Sequence, residues 1–486
     1  DASITEEKEF TNEFYKLFHE TRLMLIKEFQ ENTLVSRTEA INITQLLLNR
    51  LIFIFFVEDR GFISDERLFT NRILKLLDSD QSTEHSKKVY AEITELFVAF
   101  DKGDKGLGVF GFNGGLFSGV FPDKISFSDQ KDPNFFSDVK LHSKLLKSTK
   151  LNEKDSKIIN KQKQLNPIIS NLLLMDSFNF APQTISRKTE ANREVSINIL
   201  GHIFEQSISD LEELKQIGVS RRKKEGVYYT PQYITDYICR NTIIPYLSKS
   251  NVSTVHELII EYVDNIKELE KKFNEIKILD PACGSGAFLV KAIDILLEIH
   301  KEIQNVKEST GKYSTGGQFQ LTKWNEEEEI KNIIENNIYG VDINKESIGI
   351  TQLSLFLKLA SNHRKLSGLS KNIKVGNSLI DDENVDARAF DWNKEFPHIF
   401  YDPHLKNSEN ELHLSTKFED GFDIVIGNPP YGAEISETQK KYFKDNFQSA
   451  TGRYDSYFYF IERSISFLKN HGVLGFIVPD TWLTNV

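Results

Sequence analysis

The chain has 486 residues, which is enough for two to four domains of ordinary size. Its 60 Lys and Arg residues against 71 Asp and Glu residues give a net charge of −11. This balance excludes a small, wholly basic nucleic-acid-binding module but leaves room for a local basic groove. Two cysteines exclude a disulfide framework and a four-cysteine zinc site, and we expect no metal site of another kind. We therefore expect an intracellular protein in a reducing compartment.

The first part of the chain has the pattern of a helical domain. The runs 6–28 and 37–58 carry apolar residues at mixed three- and four-residue spacing, and Ser36 with Glu39 fits a helix-capping box. The start of the chain is polar and acidic, which is not typical of a secretory signal. The most apolar stretch, 51–57, has charged flanks and is too short to span a bilayer. We expect it to be a buried helix, and we expect no membrane partner.

The sequence pattern changes between residues 101 and 136, where Gly, Asp, Ser and Phe alternate without a regular period. This predicts a loop-rich connector with room for one hairpin. Helical patterning returns from residue 156 and is strongest from 193 to 215. The basic run 221–224 is either a solvated linker or a strip that contacts phosphates. We place the boundary there, between a mainly α-helical domain (1–220) and a second domain (221–486).

Beyond the boundary, short apolar strands alternate with helices, which predicts a mostly parallel sheet with helices on both faces. The fold class is therefore α/β and Rossmann-like, with a ligand site at the carboxyl ends of the strands. The predicted strands are 276–280, 338–342, 372–375, 422–426 and 473–478, with clear helices at 287–301 and 345–360.

A glycine-containing turn, Asp-Pro-Ala-Cys-Gly-Ser-Gly, joins the first of these strands to a helix. Glycine lets the backbone bend tightly and approach a ligand, and a helix start offers unpaired N–H donors. Only Gly284 and Gly286 match the dinucleotide-binding pattern, and the carboxylate of Asp280 suits a cation better than a phosphate. Asp342 ends the next strand, the usual place for an acceptor of ribose hydroxyls. We expect Cys283 to be a packed, unreactive thiol.

A second turn, Asn-Pro-Pro-Tyr, follows the apolar strand 422–426. The two prolines remove two backbone donors and fix the turn. The side-chain oxygen of Asn428 and the carbonyl of Pro429 can accept the two hydrogens of an exocyclic amine and aim its lone pair at a methyl donor. Pro430 stiffens this turn, and Tyr431 can stack on a base that has left the duplex.

These motifs resemble those of the amino-methylating DNA methyltransferases, the gamma-class N6-adenine enzymes with Asn-Pro-Pro-Tyr. The resemblance implies S-adenosylmethionine as cofactor, with Asp280 and Gly284 near its methionine part and Asp342 on its ribose. It implies that Ile343 packs on the adenine. The implied cofactor loop also includes Pro281, Ala282, Cys283 and Gly286.

Two further segments carry the same resemblance. Asn377 and Ser378 follow the third strand, where the family commonly has an acidic residue that binds the adenine amino group of the cofactor; Asn377 departs from that pattern. Tyr229 and Thr230 lie in a segment similar to the family's N-terminal cofactor segment, with Thr230 near the methionine carboxylate. Thr230 can also be the N-cap of a helix that has Pro231 at its first position, and both interpretations can hold together.

The first half of the chain resembles the helical connector of single-chain restriction–modification enzymes called type IIG, at residues 47–61 and 113–117. Residues 201–206 resemble the helix that leads into their methyltransferase domain. The order of the two motifs implies a target-recognition domain at the C-terminus, so we expect this chain to be C-terminally incomplete and to lack that domain.

In type IIG enzymes a metal-dependent nuclease often precedes the connector. Asp123, Asp129 and Lys131 have the residue types of such a nuclease, but only five residues separate the two carboxylates. Paired strands need more, so cleavage is not predicted for this chain.

We therefore predict a site-specific adenine-N6 DNA methyltransferase, the modification part of a restriction–modification system in the prokaryotic cytoplasm. Its partner is double-stranded DNA with a flipped-out adenine, and no oligomeric state is predicted. Two alternatives stay open. One is a protein-glutamine or RNA amino methyltransferase, because glutamine methyltransferases also carry Asn-Pro-Pro-Tyr. The other is a non-catalytic DNA-binding or assembly piece of a restriction complex.

Overall fold

The chain divides into two units, Asp1–Ile217 with Ala360–Ser367, and Gly218–Leu359 with Gly368–Val486. The predicted helix 193–215, the basic run 221–224 and the predicted boundary lie outside the described residues. The structure is a computed structural model that describes residues 2–33, 35–59, 61, 63, 65, 67–79, 85–109, 111, 117, 127, 151–161, 165–178, 230–310, 325–359, 369–400, 421–450 and 455–479.

The first unit is helical throughout its described elements, apart from one antiparallel bridge between Asp104 and Val109 in the predicted connector. The cap predicted for the second helix is present, since the Glu39 amide donates to Ser36 Oγ at 3.2 Å. The helices are α1 (Ala2–Thr33), α2 (Arg37–Asp59), α3 (Leu68–Ser79), α4 (His85–Lys102), α5 (Glu153–Lys161) and α6 (Pro167–Asp176).

Helix α2 is the core of this unit, and every residue of the run 51–57 is buried, as predicted. The helix as a whole is longer than that run. By length and composition it could cross a membrane, but 89% of its most apolar window is buried inside the structure, which is typical of a core helix. Phe117 packs edge-on against Phe53, and its ring lies 5.6 Å from the Arg50 guanidinium. Burial lowers the pKa of Arg50 to about 10, partly offset by Asp101, so the group stays charged at neutral pH.

The second unit is the predicted α/β fold. Its described strands form one sheet of order β3-β2-β1-β4-β5, and all pairs are parallel. The strands are β1 (Ile278–Asp280), β2 (Ile338–Asp342), β3 (Ile373–Val375), β4 (Phe422–Gly427) and β5 (Leu468–Phe476). The helices are α7 (Gln232–Leu247), α8 (Val255–Tyr262), α9 (Ile266–Glu275), α10 (Ala287–Thr310), α11 (Glu326–Asn336), α12 (Lys345–Leu359), α13 (Leu369–Asn372), α14 (Trp392–Glu395), α15 (Pro397–Phe400), α16 (Glu437–Asn446) and α17 (Ser456–Phe467).

The strand that differs most from its predicted bounds is the last one, β5. Its apolar run predicts a strand at 473–478, whereas β5 starts at Leu468 and ends at Phe476. The five added residues include Lys469 and His471, and the pairing with β4 shifts register there, with His471 at φ 64°. Polar residues enter this strand because it pairs on one side only within the described sheet, where solvent reaches it.

A buried carboxylate connects the amino ends of three strands with α7. Asp423 in β4 is 5% exposed and accepts a hydrogen bond from the Lys277 amide at 2.7 Å. It also accepts from the Tyr246 hydroxyl of α7 and, through both oxygens at 3.1 Å, from Lys469 Nζ of β5. Because every donor comes from a different segment, this one side chain holds the amino edge of the sheet together.

We expect Asp423→Ala to lower the free energy of unfolding of the α/β unit by about 3 kcal/mol, because it leaves buried donors without their acceptor. Urea denaturation followed by circular dichroism measures this. Glu383→Ala, at an exposed position of the same unit, should leave the midpoint unchanged. Equal midpoints for the two variants would contradict the role given to Asp423.

Candidate active site

The loop after β1 is shaped by two glycines in the left-handed region. Gly284 has φ 54° and Gly286 has φ 85°, and the Gly286 amide donates to the Cys283 carbonyl at 2.7 Å. A Cβ at Gly286 would come within 2.9 Å of the Thr351 side chain. Thr351 of α12 in turn donates its hydroxyl to the Gly284 carbonyl at 2.7 Å. The loop therefore needs glycine for its conformation and for its close contact with α12.

Asp280 ends β1 inside the protein, with 1% of its surface exposed. Its Oδ1 accepts from the Ala282 amide at 3.1 Å. Burial raises the pKa of Asp280 to about 8; the Ala282 hydrogen bond opposes this rise and the nearby Asp342 adds to it. A carboxyl group held neutral in this way is suited to a cation, because a positive ligand would stabilise its ionised form.

Asp342 ends the neighbouring strand β2 and is fixed by the same loop. Its Oδ2 accepts from the Gly284 amide at 2.9 Å, and its Oδ1 accepts from the Asn344 amide at 2.8 Å. A carboxylate oxygen can accept more than one hydrogen bond, so the group is oriented and still able to bind hydroxyls. Ile343, next in the chain, is half-buried.

The loop after β3 joins this arrangement through Ser378. The Ser378 hydroxyl donates to the Pro281 carbonyl at 2.6 Å, and the Ser378 carbonyl accepts from Trp392 Nε1 at 3.1 Å. Asn377 is 7% exposed and lies one residue before Ser378. The structure therefore brings the ends of β1, β2 and β3 together with the predicted residues Pro281, Asp342, Asn377 and Ser378.

The proline-rich turn after β4 meets the first loop at Gly427. A Cβ at this residue would lie 2.7 Å from Asp280 Oδ1, so any side chain there would collide with the buried carboxyl group. β1 and β4 are adjacent, with Leu279 opposite Val425. The turn that starts at Asn428 therefore begins next to the loop that carries Asp280.

Asn428 is half-buried and donates from Nδ2 to Thr230 Oγ1 at 3.0 Å. Thr230 is 6% exposed. The helix-capping role predicted for Thr230 is wrong: α7 starts at Gln232, its N-cap is Pro231, and no side chain caps it. The threonine hydroxyl contacts the turn that starts at Asn428, and proline provides the fixed extended residue before the helix.

Two residues that the sequence did not identify hold the turn in place. Asp455 Oδ1 accepts from the Gly432 amide at 3.0 Å, and the Ser456 hydroxyl donates to the Pro430 carbonyl. Both lie at the start of α17. In the sequence they are a carboxylate and a hydroxyl at the start of a helix. Ordinary helix-capping residues have the same types, so the sequence does not indicate a contact with the turn. Here they fix the turn 428–432 on both sides of Tyr431.

The remaining predicted residues are placed as follows. Pro429 is buried and Pro430 and Tyr431 are half-buried. Cys283 is 5% exposed, and burial raises its pKa well above the usual range, so it is the packed thiol that was predicted. Tyr457, Tyr459 and Phe460 of α17 are buried. Tyr229, the nuclease-like residues Asp123, Asp129 and Lys131, and the segment 201–206 lie outside the described residues.

Comparison with protein families gives two matches along the chain. Residues 336–486 match the family described as "Eco57I restriction-modification methylase". Residues 42–117 match the family described as "MmeI, helicase spacer domain". The first match contains β2 to β5 with the turn at Asn428, and the second contains most of α2 and all of α3 and α4.

Individual relatives agree with these families. A protein of Methanocaldococcus jannaschii named "Putative type II restriction enzyme and methyltransferase" is 26% identical over 91% of this chain and 45% of its own length. The type II restriction enzyme and methyltransferase RM.Eco57I of Escherichia coli is 30% identical over 59% of this chain and 27% of its own length. The adenine-specific methyltransferase PglX of Streptomyces coelicolor is 23% identical over 47% of this chain and 19% of its own length. The chain thus spans less than half the length of these relatives.

A solved structure is similar in fold over nearly the whole chain. The type IIL restriction–modification enzyme MmeI, solved in complex with DNA, has a TM-score of 0.52 and 16% identity, and covers 94% of this chain and 48% of its own. The predicted resemblance to restriction–modification enzymes with a methyltransferase is confirmed, and so is the predicted α/β methyltransferase fold after a helical N-terminal region.

We expect Gly427→Ala to destabilise the α/β unit and to weaken binding of any ligand beside Asp280, because its Cβ would displace the buried carboxyl group. Thermal unfolding measures the first effect. The matched control is Gly349→Ala within α12, where an added Cβ meets no atom within 4 Å; it should raise stability by about 0.5–1 kcal/mol. Stability losses of similar size in both variants would contradict the close contact at Gly427.

Proposed function

We propose that this chain transfers a methyl group from S-adenosylmethionine to the N6 amino group of adenine in DNA, as the modification part of a restriction–modification system. The observation that carries the proposal is the contact of Gly427 with Asp280. It places a loop suited to a cationic, ribose-containing ligand beside a turn suited to an exocyclic amine. A methyl donor and its acceptor need such adjacent sites.

The residues of the first loop fit this cofactor. When bound, S-adenosylmethionine supplies an electrophilic methyl group on a sulfonium. Asp280, buried and neutral in the protein alone, would face the positively charged methionine part, with Thr230 near the methionine carboxylate. Asp342 would accept the ribose hydroxyls, since backbone amides already hold its carboxylate in place. Ile343 would pack on the adenine.

The turn after β4 would prepare the amine for attack. The adenine amino group is a poor nucleophile because its lone pair is delocalised into the ring. The Asn428 oxygen and the Pro429 carbonyl would accept its two hydrogens, which draws the nitrogen towards a tetrahedral shape and directs its lone pair at the methyl group. The hydrogen bond to Thr230 restrains the Asn428 side chain in this turn.

The amine of a paired adenine is not accessible inside the duplex, so the base must leave the stack. Tyr431, half-buried in the same turn, would stack on the flipped-out base. The hydrogen bonds of Asp455 and Ser456 to the turn limit its movement and so keep the Tyr431 ring in position for stacking.

The relatives support this assignment through their names, which join methyltransferase with restriction enzyme and, for PglX, with adenine specificity. On this basis we also place the protein in the prokaryotic cytoplasm. The test uses the gene product that contains this chain, with tritiated S-adenosylmethionine and with DNA, RNA and a protein extract as separate acceptors. Label on N6-methyladenine in DNA supports the proposal. Label on protein or RNA alone, or no cofactor binding at all, overturns it.

We expect Asn428→Ala to lower the rate of DNA methylation by about 100-fold or more, the typical loss for one group that stabilises the reacting centre. Cofactor affinity should stay within about threefold, because Asn428 contacts the acceptor base. Single-turnover methylation and calorimetry measure the two quantities. Asn446→Ala, an exposed asparagine of α16, is the control and should retain full activity. Full activity of the Asn428 variant would refute its catalytic role.

We expect the affinity for S-adenosylmethionine to rise between pH 6 and 8. The pKa of Asp280 is about 8 in the protein alone, so below this pH the carboxyl group must release a proton before it faces a cation. The rise is about tenfold per pH unit at most for one proton. Calorimetry in two buffers of different ionisation enthalpy measures the proton release, which Asp280→Asn should abolish. If the affinity of the unaltered protein and that of Asp280→Asn rose equally with pH, the proton would come from the ligand and the prediction would be contradicted.

A further inference from the structure

The loop that follows β3 is closed on itself and cannot shift freely. The Gly376 amide donates to the Asp342 carbonyl at 2.9 Å, and a Cβ at Gly376 would lie 2.2 Å from the Phe390 ring. The Asn377 amide donates to the Arg388 carbonyl at 2.6 Å. These contacts bring both ends of the loop together beside Asp342 and fix the position of Asn377.

The side chain of Asn377 is also fixed, and its two partners determine which way the amide points. Its Nδ2 donates to Asp386 Oδ2 at 2.9 Å, and its Oδ1 accepts from the Leu379 amide at 3.1 Å. A carboxylate only accepts hydrogen bonds and a backbone N–H only donates, so the reverse orientation would oppose like groups at both ends. The Asn377 oxygen has a second lone pair, with which it can accept one more hydrogen bond.

Asp386 is well suited to impose this orientation. Its side chain is 8% exposed. Burial works against its ionisation, but hydrogen bonds from Arg388 and Asn377 outweigh burial, and the pKa of Asp386 is lowered. The Arg388 amide donates to Oδ1 at 2.9 Å, and Gln439 of α16 donates to Oδ2 at 3.4 Å. Asp386 therefore stays a permanent acceptor, and Asn377 has to present its NH2 group to it.

We propose that Asp386 is a positioning residue that makes Asn377 an acceptor for the adenine amino group of the cofactor. Asn377 and Asp386 together then provide the acceptor that a single carboxylate would provide. This arrangement explains why an amide occupies position 377. A carboxylate there would lie 2.9 Å from Asp386, where two negative charges repel each other. This inference rests on the proposed function, since it concerns how the methyl donor is recognised.

The first experiment compares two ligands that differ in the purine, at the exocyclic group proposed to meet Asn377 and at the neighbouring N1, which carries a hydrogen only in the inosyl ligand. S-adenosylhomocysteine carries an amino group, whereas S-inosylhomocysteine carries a carbonyl oxygen. By calorimetry the unaltered protein should prefer the adenosyl ligand by roughly tenfold, the typical value of one hydrogen bond. Asp386→Ala should reduce this preference below about threefold, because the NH2 group of Asn377 then loses its acceptor and only the Leu379 amide still holds the Asn377 oxygen in place. Asp382→Ala, in the same loop, is the control and should keep the preference.

The second experiment exchanges the two groups and does not depend on the alanine variant folding. Asn377→Asp alone should weaken binding of S-adenosylhomocysteine by about tenfold or more, because it creates a pair of like charges. The double variant N377D/D386N should restore binding to within about threefold, since one carboxylate and one amide again face each other.

The outcomes separate the inference from the proposed function. A protein that binds neither ligand overturns both. Binding of S-adenosylhomocysteine with an unchanged preference in Asp386→Ala, or with Asn377→Asp as tight as the unaltered protein, overturns only the role of Asp386. Loss of the preference together with rescue by the double variant supports it.

Discussion

The close contact between Gly427 and the Asp280 carboxyl group is the constraint on which the rest of the site depends. It exists because β1 and β4 are neighbours in a parallel sheet, so their carboxyl ends meet at one edge. The missing side chain at Gly427 leaves space for a buried carboxyl group, which stays neutral because burial penalises its charge. A positively charged ligand would restore that charge, and the proline-rich turn after β4 begins one residue away. The contact between Gly427 and Asp280 therefore determines both how close the loop after β1 lies to the turn after β4 and how strongly the Asp280 carboxyl group is buried.

Around this contact, hydrogen bonds join the loops at the strand ends to one another. Gly284 donates to Asp342, Ser378 donates to Pro281, and Asn428 donates to Thr230. Each bond connects a segment at one strand end to a segment from another part of the chain. The ligand-binding edge is thus a network in which the backbone supplies many of the partners, and backbone groups are held in place by the sheet itself.

The sequence predicted the parts of this protein in which local pattern and tertiary role coincide. The strand 338–342 was predicted residue for residue, because its apolar run is short and ends in a polar carboxylate. The glycines of the first loop and the prolines of the second are required by the backbone, so residue type alone indicates them. The hydrogen bonds of Asp455 and Ser456 to the turn, and the hydrogen bond that Asn377 donates to Asp386, could not be predicted. Each joins residues that are distant in sequence or that look like ordinary turn residues. The start of β5 was misplaced for a related reason, since an edge strand tolerates polar residues that an inner strand excludes.

Gln439 gives the site a dynamic property. Its oxygen accepts from the Ser436 amide and completes the capping box of α16, while its NH2 group donates to Asp386. Helix ends open more often than helix centres, and the opening of the first turn of α16 would withdraw this donor from Asp386. Local opening of the helix that follows the acceptor turn is therefore coupled to loosening of the loop beside β3. Ordering the first turn of α16 would in this way reduce the entropy cost of ordering the loop after β3.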